Sequence, residues 1–477
     1  MRLNLHLLLP EWILCGTLIL TVLVEMAPLR RDGKQGNFLP ALTSLGMGLA
    51  FLALLPFTKK IDVAFGGMFL LDPFSVFFKI FFTLTAIVIV QMSRPYFSGN
   101  TREREFLLVL ICTLLGFFFL VSANDFLLLF ISLEIVTLSF YILTAYAKGN
   151  LRSIEAGLKY LILGSLASAF FIYGVSLLYI ETGSTSFPAV RETFLANPRN
   201  PLMLLGALMI LTALGFKVAA FPFQFWVPDV YEGAPTPTVS FLAVASKAAG
   251  FAILMRIVFT VLASFESQRA LLFSALAAMT LVYGNLGALV QTNIKRLFGY
   301  SSIGHAGYLL MGLAAGNTFG TSAILYYLVA YAFTTLSVFF VIALAGKYLQ
   351  SDEMRAYNGL GQRSPFLAAV MFLALLSSAG VPPLAGFSGK FFILLAAVQG
   401  GLAWLALLGA LSVAVSLYYY LRIVHAMYFE ESLRDEALSL ETSTQFLLLF
   451  LSAGILAVGL WQAPWVELTQ NAVRFLF

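Results

Sequence analysis

The sequence predicts an all-α polytopic membrane protein, and three observations predict it. Of 477 residues, 60% are hydrophobic and only 11% charged; the mean hydropathy is +0.92; and the apolar residues fall in runs of about 20 separated by short polar turns. Such a composition excludes a soluble multidomain chain. The net charge of +5 and isoelectric point near 9.0 would suggest nucleic acid in a soluble protein. Here the basic residues lie mostly in the turns, where they report orientation in a bilayer and not a nucleic-acid partner. Cys15 and Cys112 lie in separate apolar runs with no second Cys or His at ligand spacing. Neither a disulfide framework nor a zinc site is expected.

About 14 spans are expected, at approximately residues 9–28, 38–57, 72–93, 106–122, 124–146, 156–180, 202–225, 238–262, 270–291, 299–315, 319–346, 366–398 with a break, 402–428 and 444–463. The first is expected to be retained, because Pro10 and Glu11 interrupt it and Leu14 before Cys15 offers no small residue for cleavage. The fourth and fifth are parted only by Ala123, Asn124 and Asp125. An even number puts both termini on one side. Turns after odd-numbered spans hold Arg30, Arg31, Lys34, Arg94, Arg102, Arg104, Lys148, Arg152, Lys159, Lys295, Arg296, Lys347, Arg355, Arg363, Arg422 and Arg434. The opposite side holds about half as many, Arg2, Lys59, Lys60, Arg191, Arg199, Arg256, Arg269 and Arg474. By the positive-inside rule the first set is cytoplasmic and both termini lie outside.

Lys79, Lys217, Lys247 and Lys390 remain inside apolar sequence, as does Glu134. A lysine at the bilayer centre costs about 2.5 to 3.5 kcal/mol on insertion scales, so it normally faces a bundle interior or a water-filled cavity. Glu134 sits about ten residues into the fifth span, with Thr137, Tyr141 and Thr144 following at helical spacing. Lys247 is placed similarly in the eighth span, with Ser240, Ala243 and Gly250 on its face. Lys217 precedes Pro222 and Pro228, and Lys390 follows Pro382 and Pro383. Proline removes a backbone donor and blocks the preceding turn, so the seventh and twelfth spans should be discontinuous. Broken backbone at that depth is tolerated only where protein or a cavity satisfies it. Paired broken helices point to inverted repeats. Those repeats would be residues 106–265 (spans 4–8) and 266–430 (spans 9–13), with residues 1–105 a preceding three-helix segment and 431–477 carrying the last helix.

Duller readings stand beside these. Lys79, about seven residues into its span, either snorkels, serves structure or takes part in function. His305, with Ser301 and Tyr308 on its face, is either a relay group or a satisfied interhelical histidine. Tyr327, Tyr331 and Thr334 read as packing and water ordering, His425 and Arg422 as interfacial anchors, and Asp229 and Glu232 as capping, loop pairing or ion entry. Buried ion pairs yield little net stability, so stability alone poorly explains Glu134, Lys217, Lys247 and Lys390. A lysine out of water holds its proton less firmly and a nearby carboxylate restores the grip, so moving either charge toggles protonation. The expected relay has Glu134 modulating Lys217, protons passing by Lys247 and His305, and Lys390 delivering them towards the outside.

Three ordered motifs sharpen this: Phe221-Pro-Phe-Gln-Phe-Trp226-Val-Pro-Asp-Val-Tyr231-Glu-Gly-Ala-Pro235-Thr-Pro237, Asn293-Ile-Lys295-Arg296-Leu-Phe-Gly-Tyr300-Ser-Ser-Ile-Gly-His305-Ala-Gly-Tyr308, and Gly386-Phe-Ser-Gly389-Lys390-Phe. Over nearly its whole length the chain resembles the antiporter-like subunits of proton-pumping NADH:quinone oxidoreductase, respiratory complex I, and among them the subunit N branch. Lys390 where subunit M generally has glutamate, and no long lateral helix of the subunit L kind, favour that branch. The resemblance implies 14 helices in two inverted five-helix repeats, a key pair in Glu134 and Lys217, a connecting Lys247 and an exit Lys390. Gly304, where alanine is usual, is a small departure.

The resemblance also implies a translocase subunit with no cofactor of its own, since the chain has no Gly-rich dinucleotide turn, no iron-sulfur cysteine set and no recognisable flavin site. NADH, FMN, iron-sulfur clusters and quinone would be handled in or near other subunits. Partners would be neighbouring antiporter-like and small membrane subunits, the peripheral redox arm through them, and the lipid of a bacterial inner membrane. Two other readings stay open: a membrane subunit of a multisubunit sodium/proton antiporter, and a structural scaffold of a related redox complex.

Overall fold

A computed structural model of the chain describes residues 4–26, 38–97, 101–432 and 440–476. Arg2, Arg30, Arg31, Lys34 and Arg434 of the charge tally lie outside them. Apolar runs of this length become helices because only internal pairing satisfies a backbone in hydrocarbon. In chain order these are α1 (Leu9–Met26), α2 (Phe38–Leu54), α3 (Pro73–Phe97), α4 (Thr101–Val121), α5 (Phe126–Thr144), α6 (Leu151–Thr182), α7 (Phe187–Ala196), α8 (Pro201–Lys217), α9 (Trp226–Gly233) and α10 (Thr236–Phe241). After a π-helical turn at Leu242–Ser246 come α11 (Lys247–Arg256) and a second π turn at Ile257–Val261. The rest are α12 (Glu266–Leu289), α13 (Ile294–Ala315), α14 (Thr318–Leu349), α15 (Leu360–Arg363), α16 (Pro365–Ala379), α17 (Ala385–Gln399), α18 (Ala403–Phe429), α19 (Thr442–Leu460) and α20 (Gln462–Val473). Among the described residues, 11 helical stretches are long and apolar enough to cross a membrane; α8, α16 and α17 are shorter apolar helices.

Side chains explain the tight turns. Asp125 accepts from Leu127 N at 2.8 Å and caps α5, which is how three residues turn the chain from α4. Asn150, Asn293 and Asn317 cap α6, α13 and α14 in the same way. Besides the short helices α9 and α15, three elements go beyond the expected spans. A hairpin pairs β1 (Asp62–Ala64) with β2 (Phe69–Leu71) antiparallel, turned by Gly66 and Gly67. Helix α7 buries Phe187, Val190 and Phe194, and α20 follows the last long helix.

Packing divides the chain into two compact units: Met1–Lys217 with Ala245–Phe265 and Ala472–Phe477, and Val218–Val244 with Glu266–Asn471. In the second unit, α12 and α13 approach backbone to backbone. A Cβ on Gly284 would lie 2.4 Å from Gly304 N, and one on Gly304 would lie 3.1 Å from Asn285 Nδ2.

In the first unit one expectation is corrected, for Arg256, and one of the open alternatives for Lys79 is excluded. Arg256 is no loop cation: it lies within the helical stretch Thr236–Val261, 2% exposed, because Asp72 neutralises it with two hydrogen bonds of 3.0 Å. Lys79 does not snorkel. It is 0% exposed, its Nζ 2.6 Å from Glu11 Oε1 and over the ring of Phe69.

Candidate functional site

Helix α8 ends on Lys217, and helix resumes only at Trp226, beyond Pro222. The side chains around this lysine come from α5 and α6. Its ammonium donates to the Thr137 hydroxyl, which in turn donates to Leu133 O at 2.6 Å. The Glu134 carboxylate accepts from Ser168 Oγ at 2.5 Å. Glu134 and Lys217 line one cleft with Leu133, Ala167, Ser168 and Ala213, with a cavity volume of about 10 Å³, room for a single water. Among the described residues the two charges form no direct ion pair; each is held by a hydroxyl. The polar face expected on α5 divides here. Thr137 serves Lys217, whereas Tyr141 packs over Gly164 and Thr144 turns back to Phe140 O.

Lys247 begins α11 directly after the first π turn and is 4% exposed. A π turn inside an α-helix is rare and recurs at functional positions.

The second unit holds His305 and Lys390. Helix α13 places His305 with Nδ1 2.5 Å from the Tyr327 hydroxyl of α14 and Nε2 3.2 Å from the Tyr420 hydroxyl of α18. Tyr420 continues to Ser301, and Tyr331 and Tyr231 both reach Ser302. Tyr327, expected as packing, is thus a direct partner of the histidine. Helix α16 stops at Ala379 because Gly380 turns left-handed at φ 91° and Pro382 and Pro383 follow. Gly380 N and Val381 N satisfy Leu376 O and Ser377 O, which leaves Ser378 O and Ala379 O without helical donors. Lys390, from α17, supplies them: Nζ donates to Ser378 O at 2.7 Å and Ala379 O at 3.1 Å, and lies 5.2 Å from the Tyr308 ring centroid. The negative end of the helix favours a cation there.

The other expected residues take quieter places. Asp229 and Glu232 both accept from Arg296 Nη1, at 2.6 and 3.0 Å. Arg422 donates to Leu289 O at 2.6 Å, and His425 stands 3.4 Å from Glu430. Sequence reasoning missed Ser168, Tyr420, and the carboxylates Glu11 and Asp72. For Tyr420 the run Tyr418-Tyr419-Tyr420 in an apolar span was a usable signal. Ser168 carried none beyond being polar.

Helices broken at prolines, with a lysine at each break, place the chain among membrane proteins built on discontinuous helices. Residues 123–416 match the family described as NADH:quinone oxidoreductase/Mrp antiporter, TM, and the chain belongs to that family. It is 38% identical over 448 residues to NADH-quinone oxidoreductase subunit N of Desulforamulus reducens, covering 92% of this chain and 94% of the relative. To the protein of the same name from Moorella thermoacetica it is 41% identical, covering 89% of each. Among solved structures, a chain of respiratory complex I from Thermus thermophilus with bound aureothin superposes with a TM-score of 0.81 at 33% identity, over 96% of this chain and 99% of that one.

Proposed function

We propose that this chain is the subunit N-type proton-translocating membrane subunit of an NADH:quinone oxidoreductase, moving protons through Glu134, Lys217, Lys247, His305 and Lys390 while partner subunits oxidise NADH and reduce quinone. One observation carries the reading: Lys217 and Lys390 sit at helix breaks and are held by neutral oxygens, a hydroxyl for one and two carbonyls for the other. Neutral dipoles bind an ammonium without committing it, so such a lysine can gain and lose a proton as nearby charge changes. The Glu134 carboxylate, in the same cleft as Lys217, is the charge that would bias it. In the second unit the His305, Tyr327, Tyr420 and Ser301 hydrogen bonds offer a continuous exchange path.

On this reading there are 14 helices, with repeats at 106–265 and 266–430 between the segments 1–105 and 431–477. The chain lies in a bacterial inner membrane with both termini outside. NADH, FMN, iron-sulfur clusters and quinone belong to other subunits.

The test is to draw the chain from native membranes in mild detergent and assay the co-purifying complex for flavin, iron-sulfur signals and NADH:quinone reductase activity. All three should follow it, and Lys217→Ala should lower protons moved per NADH in sealed vesicles. Small hydrophobic partners alone, with sodium-dependent proton exchange on reconstitution, would put the antiporter reading in its place.

A further inference from the structure

We propose that Arg256 is a positioning residue for Lys247: its fork on Asp72 fixes the rotation of α11 and hence the direction in which Lys247 points. The inference rests on the relay reading of Lys247 given above.

Helix α11 runs from Lys247 to Arg256, so the two residues are its first and last, and each end abuts a π turn. Nine residues at 100° each place their side chains about half a turn apart around the axis. A π turn carries an extra residue, and its conversion to an α turn slips the helix by one position, about 100° of rotation. A segment bracketed by two such turns therefore needs something other than its own backbone to set its azimuth.

Arg256 supplies that. Its Nη1 and Nη2 bond Asp72 Oδ2 and Oδ1, both at 3.0 Å, and Nη2 also reaches Val121 O at 3.1 Å. Asp72 precedes α3 and accepts from Ser75 N at 2.8 Å, whereas Val121 ends α4. The guanidinium thus joins the positive end of one helix, through its capping carboxylate, to the negative end of another, and both ends favour the charge they meet. A planar fork on a carboxylate fixes direction as well as distance. The anchor is itself anchored. Seven residues beyond Asp72 on α3, Lys79 is paired with Glu11 of α1, and all four charged groups are buried. With Arg256 held against α3 and α4, Lys247 must face the opposite side of its helix.

The experiment is a double-mutant cycle in the assembled complex, in sealed vesicles, reading protons moved per NADH across pH. Arg256→Gln is expected to lower the ratio about twofold, the low end of coupling between residues acting as a unit, and to displace the pH profile of pumping. Arg256→Lys, which keeps the charge without the fork, should fall between it and the parent. In a Lys247→Ala background Arg256→Gln should add nothing. Effects that multiply, or an unchanged ratio and pH profile in both Arg256 variants, would overturn the inference. So would failure of both variants to assemble, which would make Arg256 a folding residue. If Lys247→Ala itself pumps normally, the relay reading of Lys247 falls and takes this inference with it. A defective Lys247→Ala beside normal Arg256 variants sinks this inference alone.

Discussion

Lys79 and Lys390 are both almost fully buried, 0% and 3% exposed, yet they are held by opposite kinds of partner. Lys79 meets the Glu11 carboxylate at 2.6 Å, and Arg256 likewise meets Asp72. Lys390 donates to two backbone carbonyls and lies over the Tyr308 ring, and Lys217 donates to a hydroxyl; among the described residues neither is in a direct ion pair. A cation against a fixed carboxylate is neutralised where it stands, and removing either partner strands a charge. Neutral oxygens leave the ammonium free to change state at modest cost. On the proposed reading, the difference separates charges that hold helices together from those that move protons, and burial alone does not reveal it.

The largest expected effect tests the holding class. Lys79→Ala should cost about 3–5 kcal/mol by stranding Glu11, read as loss of the chain from membranes, whereas replacing Glu11 and Lys79 together with leucine should recover most of it. Normal retention of Lys79→Ala in the membrane would break the comparison. Next, Lys390→Met should leave the chain in the membrane, at a cost of about 1–3 kcal/mol for each carbonyl that loses its donor, the low end applying where a second lone pair stays paired, while protons moved per NADH fall. A smaller effect is expected from Thr137→Val, about 1.5 kcal/mol, with pumping slowed less than by Lys217→Ala in the same vesicle assay. Smallest of all, Lys159→Ala breaks the exposed pair with Glu155 at 2.8 Å. It should move stability by no more than about 0.5 kcal/mol and leave pumping alone.

How much of this could be read from the chain follows from how far apart the partners lie. The helix breaks are local: Pro222, Pro382, Pro383 and Gly380 announce them within a few residues of Lys217 and Lys390. The turn before α5 was likewise visible in Ala123, Asn124 and Asp125, although the capping bond of Asp125 was not. The holding pairs were not legible, since 68 residues separate Glu11 from Lys79 and 184 separate Asp72 from Arg256. Arg256, near the end of its apolar run, read as a turn residue only because its counter-charge lay out of sight. Ser168 and Tyr420 became meaningful only once α6 and α18 were set beside α5 and α13. The β1–β2 hairpin, three residues a strand, is shorter than any periodicity can register.

The meeting of Gly284 and Gly304 also constrains how such a sequence can drift. At 284 a methyl group would press on a neighbouring main chain that cannot step aside, so that site is closed to every other residue while α12 and α13 keep their spacing. At 304 the obstacle is the movable amide of Asn285, which is bonded to Leu281 and Tyr419. A lineage can therefore acquire alanine at 304 with a shift of a few tenths of an ångström in the Asn285 amide, whereas any side chain at 284 must displace main chain. Across descendants, 304 should vary more freely than 284.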